Sequence, residues 1–195
     1  MSAGELERYV SRHPPDLSLG TECRYDTLDW GEDEHPLKMV NGARIPYFVD
    51  KISQHFGPGK RTLLDVGCGG GVATIEMAAA GFQATGIDMS APSIKHAGET
   101  ARQAGLSIDY VTGSAYKLPF DDNSFDAVLS SDVLEHLTDL RTALSEVQRV
   151  LKPGGIFVFD TINRTWFSWI VLIRLGQDIF RFIPLSAHSW LLFSE

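Results

Sequence analysis

Apolar runs separated by polar or turn-forming residues organise the middle of the chain. Five short runs predict β-strands at residues 62–66, 84–88, 108–112, 126–131 and 156–160. Between the strands, apolar residues recur with helical spacing, and the clearest apolar face is formed by Leu140, Ala143, Leu144, Val147, Val150 and Leu151. Strands that alternate with helices predict an α/β fold built on a parallel sheet.

Turn and capping residues set the ends of these elements. Gly81 is a typical residue to end a helix over 72–80, and Ser90 can cap the helix that follows. The run Lys-Pro-Gly-Gly at 152–155 stops the last helix and leads into the fifth strand. Right-handed crossovers then place the binding edge at the carboxyl ends of the first and fourth strands, where the order of the sheet switches.

Length and charge narrow the class of protein. The 195 residues, 44% of them hydrophobic, suit one domain of ordinary size. A net charge of −8 without a basic cluster argues against a nucleic-acid partner. The two cysteines, Cys23 and Cys68, do not form a disulfide framework and fit a reducing, cytoplasmic interior.

A glycine-rich loop follows the first predicted strand. Residues 63–71 read Leu-Leu-Asp-Val-Gly-Cys-Gly-Gly-Gly, so glycines stand at Gly67, Gly69 and Gly71. Glycine lets the backbone turn sharply and lets a ligand approach it closely. Asp88 ends the second strand, at the distance where an acid can accept hydrogen bonds from both hydroxyls of a ribose. The two signals together predict a nucleoside-binding domain.

The spacing of the glycines discriminates between nucleoside cofactors. The dinucleotide fingerprint requires a third glycine at position 72, where this chain has Val72. Asp65 lies two residues before the loop, and its charge would repel a diphosphate but attract a sulfonium that carries an ammonium group. An NAD-dependent oxidoreductase is therefore the outside alternative.

An acid followed by G-x-G-x-G resembles the first motif of the class I S-adenosylmethionine-dependent methyltransferases. Later segments resemble that family in the same order: Leu118-Pro119-Phe120, Ser124-Phe125-Asp126, Leu134-Glu135-His136 and Leu151-Lys152-Pro153-Gly154-Gly155. The resemblance covers residues 60–160 and implies a Rossmann-like, doubly wound sheet of five parallel strands in the order 3-2-1-4-5. The family normally adds two further strands after the fifth, and these are missing from the chain as given.

The resemblance also implies which residues hold the cofactor. Asp65 and the loop glycines Gly67, Gly69 and Gly71 would hold the methionyl part of S-adenosylmethionine, or of its product S-adenosylhomocysteine. Asp88 would hold its ribose, and Ser131 would face its amino-acid end. Its adenine would contact Met89, Ser114 and Ala115. The family usually has an acid where this chain has Ser114, so a hydroxyl or a backbone amide would substitute there.

Methyl transfer to a hydroxyl needs a base, because the acceptor oxygen must lose a proton. His136 lies just beyond the fourth strand and is the candidate base, with Glu135 beside it to orient the imidazole. The same two residues could help to hold a divalent metal ion. Two adjacent ligand types are thin evidence, so no metal site is predicted.

A narrower resemblance lies on both flanks. Asp29-Trp30, His35 to Lys38, Asn41 to Arg44 and Thr161 to Arg164 look like motifs of the ubiquinone-biosynthesis O-methyltransferases. That resemblance implies an N-terminal arm and helix at 1–56 that covers the cofactor, with Arg44 at the cofactor carboxylate, and a binding core at 57–160. Lys38 departs from the pattern, because the family commonly has a histidine there, so the acceptor stays open.

Residues 161–195 are rich in aromatic side chains and carry one narrow polar stripe of Arg174, Asp178 and Arg181. The uncharged apolar stretch is too short to span a bilayer. Residues 166–183 could contact a membrane surface from its inner face, could form a lid, or could pack against the missing sheet. An exposed apolar edge would favour a homodimer.

The leading hypothesis is O-methylation of a small aromatic acceptor, with a polyprenylated quinone precursor as one example. A second hypothesis keeps the cofactor and changes the acceptor to a nitrogen, a carbon or another oxygen. A third is a non-catalytic domain that binds S-adenosylmethionine and docks to a partner. The intact acids and glycines of the loop argue against this third hypothesis.

Overall fold

The computed structural model describes the backbone of residues 36–161 and the side chains of residues 41–161. Four α-helices occur in this range: α1 Pro36–Phe56, α2 Val72–Ala79, α3 Ala91–Gln103 and α4 Leu140–Val150. A short 3₁₀ turn covers Leu134–His136. The strands are β1 Thr62–Val66, β2 Gln83–Asp88, β3 Asp109–Thr112, β4 Phe125–Ser131 and β5 Leu151–Asp160.

The five strands form one parallel sheet in the order β3-β2-β1-β4-β5. The central strand β1 pairs with two neighbours, so that Leu64 lies opposite Thr85 on one side and Val128 on the other. Helices connect the strands, as in a doubly wound fold. The predicted fold class and strand order are confirmed.

The sheet is buried on both faces, which explains why its central strands are apolar without alternation. Leu63 and Leu64 are adjacent and both fully buried, and their side chains point to opposite faces. Leu63 packs with Phe48 and Ile52 of α1, whereas Leu64 packs with Val147 and Val150 of α4. Each face therefore has its own hydrophobic core, and β1 is held between them.

Two of the predicted helix ends are confirmed by their hydrogen bonds and dihedrals. The hydroxyl of Ser90 accepts the backbone N–H of Ser93 at 3.2 Å and caps α3, with Pro92 in the first turn. After α2, Gly81 adopts a φ of 103°, a conformation that other residues rarely reach. These caps fix where the two helices start and stop beside the glycine loop.

Three details of the sequence-based prediction are wrong. Strand β5 begins at Leu151, five residues before the predicted start, and Gly154 bends inside it at a φ of 79°. The sequence predicts a helix over about 43–56, but helix α1 already begins at Pro36; it contains Pro46, which is exposed. Leu144 was expected on the buried face of α4, but it is 39% exposed.

The described residues divide into two compact units. The larger contains residues 36–131 and 139–159, and the smaller contains residues 132–138 and 160–161. Residues 1–35 and 162–195 lie outside the described residues. The predicted division into an arm at 1–56, a core at 57–160 and a segment at 161–195 therefore stays a prediction, as does membrane contact through 166–183.

Among the described residues, no helix is long and apolar enough to cross a membrane.

Arg149 on α4 clamps the loop between β3 and β4. Its guanidinium donates to the backbone oxygens of Leu118 and Phe120, and it pairs with Glu146 and Asp122, each at 2.8 Å. Glu146 in turn accepts the backbone N–H of Leu118 at 2.8 Å. Hydrogen bonding from Arg149 lowers the pKa of Glu146 to about 2.

Replacing Arg149 with alanine should lower the free energy of unfolding by about 1–3 kcal/mol, because backbone oxygens lose a charged donor. Folding lowers the pKa of Glu146 from its ordinary value of 4.5. The stability that comes from ionised Glu146 beside Arg149 is therefore complete above pH 4.5 and is lost as the pH falls through about 2. Denaturant titrations at pH 7 and pH 3 measure both effects. Arg141→Ala, an exposed change on the same helix, is the control. Equal losses in the two variants would contradict the clamp.

Candidate functional site

The glycine loop begins directly after β1 and is tied to the end of β2. The backbone N–H groups of Gly67 and Cys68 both donate to the carbonyl of Ile87, at 2.8 and 3.1 Å. Gly67, Gly69 and Gly71 adopt φ values of 78°, 52° and 80°, in the left-handed region that favours glycine. Helix α2 then starts at Val72. The loop is thus a hydrogen-bonded turn at the carboxyl edge of the sheet.

Asp88 links this loop to the next helix. One carboxylate oxygen accepts the N–H of Gly69 and the other accepts the N–H of Ser90, both at 2.9 Å. Asp88 is only half-buried and the next residue, Met89, is 44% exposed. Both side chains are therefore accessible beside the loop.

Asp65 lies beneath the loop rather than on its surface. It is 1% exposed and accepts a hydrogen bond of 2.5 Å from the hydroxyl of Thr74 on α2. Cys68 is a buried free thiol, and burial together with the charges of Asp65 and Asp88 raises its pKa. A thiol with a raised pKa stays protonated at neutral pH and is a poor nucleophile. Cys68 is thus a small side chain in a tight turn.

Asn41 orients the side chain of Arg44. Both residues belong to the same sequence motif, but the motif alone does not predict this role for Asn41. Its Nε and Nη2 atoms donate to the side-chain oxygen of Asn41, at 3.0 and 2.7 Å. Asn41 is 1% exposed, and its Nδ2 donates to Glu76 of α2 at 3.3 Å. The chain of contacts fixes the position of Arg44 relative to the helix that follows the glycine loop.

The remaining predicted cofactor residues follow β3 and β4. The hydroxyl of Ser114 accepts the N–H of Tyr116 at 3.2 Å, so it stabilises its own turn, and Ala115 packs against the core. The hydroxyl of Ser131, at the end of β4, is buried and has no hydrogen-bond partner among the described residues. A buried hydroxyl without a partner is a group that a ligand would satisfy.

Within the larger unit, topology brings the predicted cofactor residues to one edge. The glycine loop, Asp88 and Ser131 follow the carboxyl ends of β1, β2 and β4, which are neighbours in the sheet. This is the edge at which ligands bind in open parallel sheets. A cavity of about 430 Å³ lies elsewhere, between α4 and β5, and none of the predicted site residues lines it.

The predicted catalytic pair belongs to the smaller unit. Glu135 is 1% exposed, and one of its carboxylate oxygens accepts the hydroxyl of Thr161 at 2.9 Å. The other oxygen is buried and has no partner among the described residues. Burial, together with the charges of Asp132 and Asp160, raises the pKa of Glu135 to about 7. Glu135 can therefore gain or lose a proton near neutral pH.

His136 lies at the end of the 3₁₀ turn and is half-buried. Its backbone N–H donates to the carbonyl of Val133 at 2.9 Å. Sequence reasoning gave the role of base to His136 and assigned Glu135 only to orienting it, because burial is not visible in a motif. The part of the chain that the structure describes contains no group of three or more histidine, cysteine, aspartate or glutamate side chains arranged to hold a metal.

Comparison with known proteins identifies the family. A family model described as a methyltransferase domain matches residues 64–159. A ubiquinone biosynthesis O-methyltransferase of Chelativorans sp. (strain BNC1) is 32% identical, over 87% of this chain and 76% of that protein. The chain belongs to the S-adenosylmethionine-dependent methyltransferases.

Two solved structures agree with this assignment of the methyltransferase. An S-adenosylmethionine-dependent methyltransferase of Methanosarcina mazei is 30% identical, with a TM-score of 0.56 over 60% of this chain and 59% of that one. An N-methyltransferase of Haemonchus contortus, solved with phosphomonomethylethanolamine and S-adenosylhomocysteine, is 32% identical, with a TM-score of 0.52 over 58% of this chain and 27% of that one. The predicted cofactor and enzyme class are confirmed.

The described residues of the methyltransferase fit this cofactor chemically. Gly67 and Gly69 form a left-handed turn beside the half-buried carboxylate of Asp88, and a carboxylate is an acceptor that ribose hydroxyls can donate to. Ser131 has a hydroxyl that nothing in the described chain satisfies. The acids around the loop suit a cationic sulfonium better than a diphosphate, since like charges repel strongly where water is scarce.

Proposed function

We propose that this methyltransferase moves a methyl group from S-adenosylmethionine to a hydroxyl of a small aromatic acceptor, with a polyprenylated quinone precursor as the leading example. The observation that carries the proposal is Glu135, a buried carboxyl with a pKa of about 7 and one oxygen without a partner among the described residues. Such a group suits the removal of a proton from a phenol. The name of the Chelativorans relative supports the same acceptor class.

We assign the cofactor to residues at the carboxyl edge of the sheet. Gly67, Gly69 and Gly71 would pass beneath its methionyl part, with Asp65 supplying negative charge from below. Its ribose and adenine would meet Asp88, Met89, Ser114 and Ala115, and its amino-acid end would meet Ser131 and Arg44. When bound, S-adenosylmethionine supplies a methyl group already activated on a sulfonium. The chain then has to align the acceptor oxygen and remove its proton.

The proton of the acceptor hydroxyl would pass to the carboxylate of Glu135. Thr161 donates to one oxygen of that carboxylate and leaves the other for the acceptor. A base with a pKa near the working pH is ionised often enough to accept a proton and basic enough to keep it. His136 is the alternative base, with Glu135 orienting it.

Calorimetric titration with S-adenosylhomocysteine tests the cofactor assignment, with NADH as the control ligand. Saturable binding of S-adenosylhomocysteine alone is the expected result, and binding of NADH alone would overturn the assignment. Methylation assays with a catechol and with a primary amine of similar size then test the acceptor class. Methylation of the amine in preference to the catechol would favour the N-methyltransferase alternative, to which the Haemonchus structure corresponds.

We further propose that residues 166–183 contact a membrane surface, which would give a cytoplasmic protein access to an acceptor with a lipid tail. The proposal rests on the aromatic and apolar composition of the segment and on its arginines, Arg174 and Arg181. Sedimentation with anionic liposomes tests it, and protein that stays in the supernatant would rule it out. Sedimentation equilibrium on the same preparation tests the proposed homodimer.

A further inference from the structure

A tyrosine on the edge strand β3 reaches across β2 to the glycine loop. Tyr110 lies directly opposite Gly86 in the register of the two strands. A Cβ atom built on Gly86 would lie 2.6 Å from both Cδ1 and Cε1 of the Tyr110 ring. The ring therefore covers the bare backbone of Gly86, an arrangement in which an aromatic side chain fills the space that a glycine leaves on the neighbouring strand.

The far end of the same side chain reaches the last glycine of the loop. A Cβ atom on Gly71 would lie 2.6 Å from the Tyr110 hydroxyl and 2.8 Å from Cβ of Ala97 on α3. A Cβ atom on Gly86 would also lie 2.9 Å from the sulfur of Cys68, inside the loop. One ring thus packs between β2, the loop and the start of α2.

We infer that Tyr110 is a positioning residue for cofactor binding: its ring, seated on Gly86 and reaching Gly71, holds the glycine loop in the shape that receives S-adenosylmethionine. The inference rests on the proposed function, because it takes this loop to be the site of the cofactor. It also explains Gly86, since only a residue without a Cβ leaves room for the ring.

The contact acts through packing and not through a hydrogen bond. The Tyr110 hydroxyl is buried and has no hydrogen-bond partner among the described residues. Burial raises the pKa of this hydroxyl, so it stays neutral. A buried hydroxyl without a partner contributes no stability, and its removal is nearly neutral when the ring remains. The ring is thus the part of the side chain that matters.

The experiment is a double-mutant cycle read by calorimetric titration with S-adenosylhomocysteine. Tyr110→Ala should raise the dissociation constant about 10-fold, whereas Tyr110→Phe should stay within about 3-fold of the wild type, because the ring is retained. Gly86→Ala should raise the dissociation constant about 10-fold when Tyr110 is present. In the Tyr110→Ala background it should raise the constant less than about 3-fold, because the two changes disrupt one contact. An equal cost of Gly86→Ala in both backgrounds would overturn the inference.

Thermal unfolding of the ligand-free variants separates positioning from simple loss of stability. Val150→Ala is the matched control, since Val150 is fully buried on α4 and outside the loop. It should lower the melting temperature and leave the dissociation constant unchanged. If Val150→Ala weakens binding equally, the effect of Tyr110 is one of stability alone. If the wild type itself fails to bind, the proposed function fails and the inference fails with it, whereas wild-type binding that Tyr110→Ala leaves unchanged would overturn the inference alone.

Discussion

Replacing Asp88 with alanine is expected to weaken S-adenosylhomocysteine binding about 100-fold or more, because two sets of charge-assisted hydrogen bonds are lost together. One set is the proposed pair to the ribose hydroxyls. The other set is visible in the protein, where the carboxylate accepts the N–H groups of Gly69 and Ser90, both at 2.9 Å. The substitution therefore removes a ligand contact and also frees the middle of the glycine loop.

Calorimetric titration measures this loss, and two further variants sharpen it. Asp109→Ala removes the same charge from an exposed position at the start of β3, so it controls for the change in net charge. Asp88→Asn keeps one acceptor oxygen and should fall between the wild type and Asp88→Ala. If Asp88→Ala and Asp109→Ala bind with equal affinity, Asp88 has no part in holding the ribose.

The sheet could be predicted from the sequence because its strands are buried on both faces. Residues such as Leu63 and Leu64 then form continuous apolar runs, and turn residues mark where those runs stop. The cap at Ser90 could be predicted for a similar reason, since its hydrogen bond reaches only three residues along the chain. Local chemistry of this kind is visible in one sequence.

The error in β5 arose because a local breaker did not end the strand, since Gly154 bends within it although glycine usually weakens a strand. Pro46 lies within α1, although proline usually interrupts a helix. Helix α1 continues through Pro46 because Ile45, Phe48 and Ile52 bury one of its faces in the core. Burial of those side chains outweighs the hydrogen bond that a proline cannot donate.

Contacts between residues far apart in the sequence could not be predicted, for a different reason. Thr161 and Glu135 are 26 residues apart, and Tyr110 meets Gly86 only through the register of β2 and β3. A sequence motif specifies residue types at given spacings, but it does not show which side chains are in contact in the folded protein. The sequence therefore predicted the glycine loop and Asp88, but it did not predict Tyr110 as a support for that loop or Thr161 as a partner of Glu135.

Changing Glu135 to glutamine is expected to lower kcat about 100-fold to 10,000-fold, which is the usual rate acceleration from a positioned general base. Affinity for S-adenosylhomocysteine should not change. Because the pKa of Glu135 is about 7, the wild-type rate should rise as the pH increases through 7, and the residual rate of the variant should lose that dependence. Steady-state rates between pH 5.5 and 8.5, on an acceptor whose own pKa lies outside that range, measure both effects.

Stability supplies a second readout that does not depend on turnover. Folding raises the pKa of Glu135 from its ordinary value of 4.5 to about 7. The protonated carboxyl therefore stabilises the folded state fully below pH 4.5, and this stability is lost as the pH rises through about 7. Glutamine never ionises, so Glu135→Gln should gain stability relative to the wild type across this interval, on the order of 3 kcal/mol in full. Denaturant titrations at pH 4.5 and pH 8 measure the difference.

Two variants decide whether the effect belongs to Glu135. Glu99→Gln makes the same chemical change at an exposed position on α3, and it should leave the rate and the stability difference as in the wild type. His136→Ala tests the alternative base. If His136→Ala abolishes the rise of the rate through pH 7 while Glu135→Gln retains it, the proton passes to the imidazole, as the sequence alone predicts. If only Glu135→Gln abolishes the rise, the buried carboxyl is the base and its burial sets the working pH.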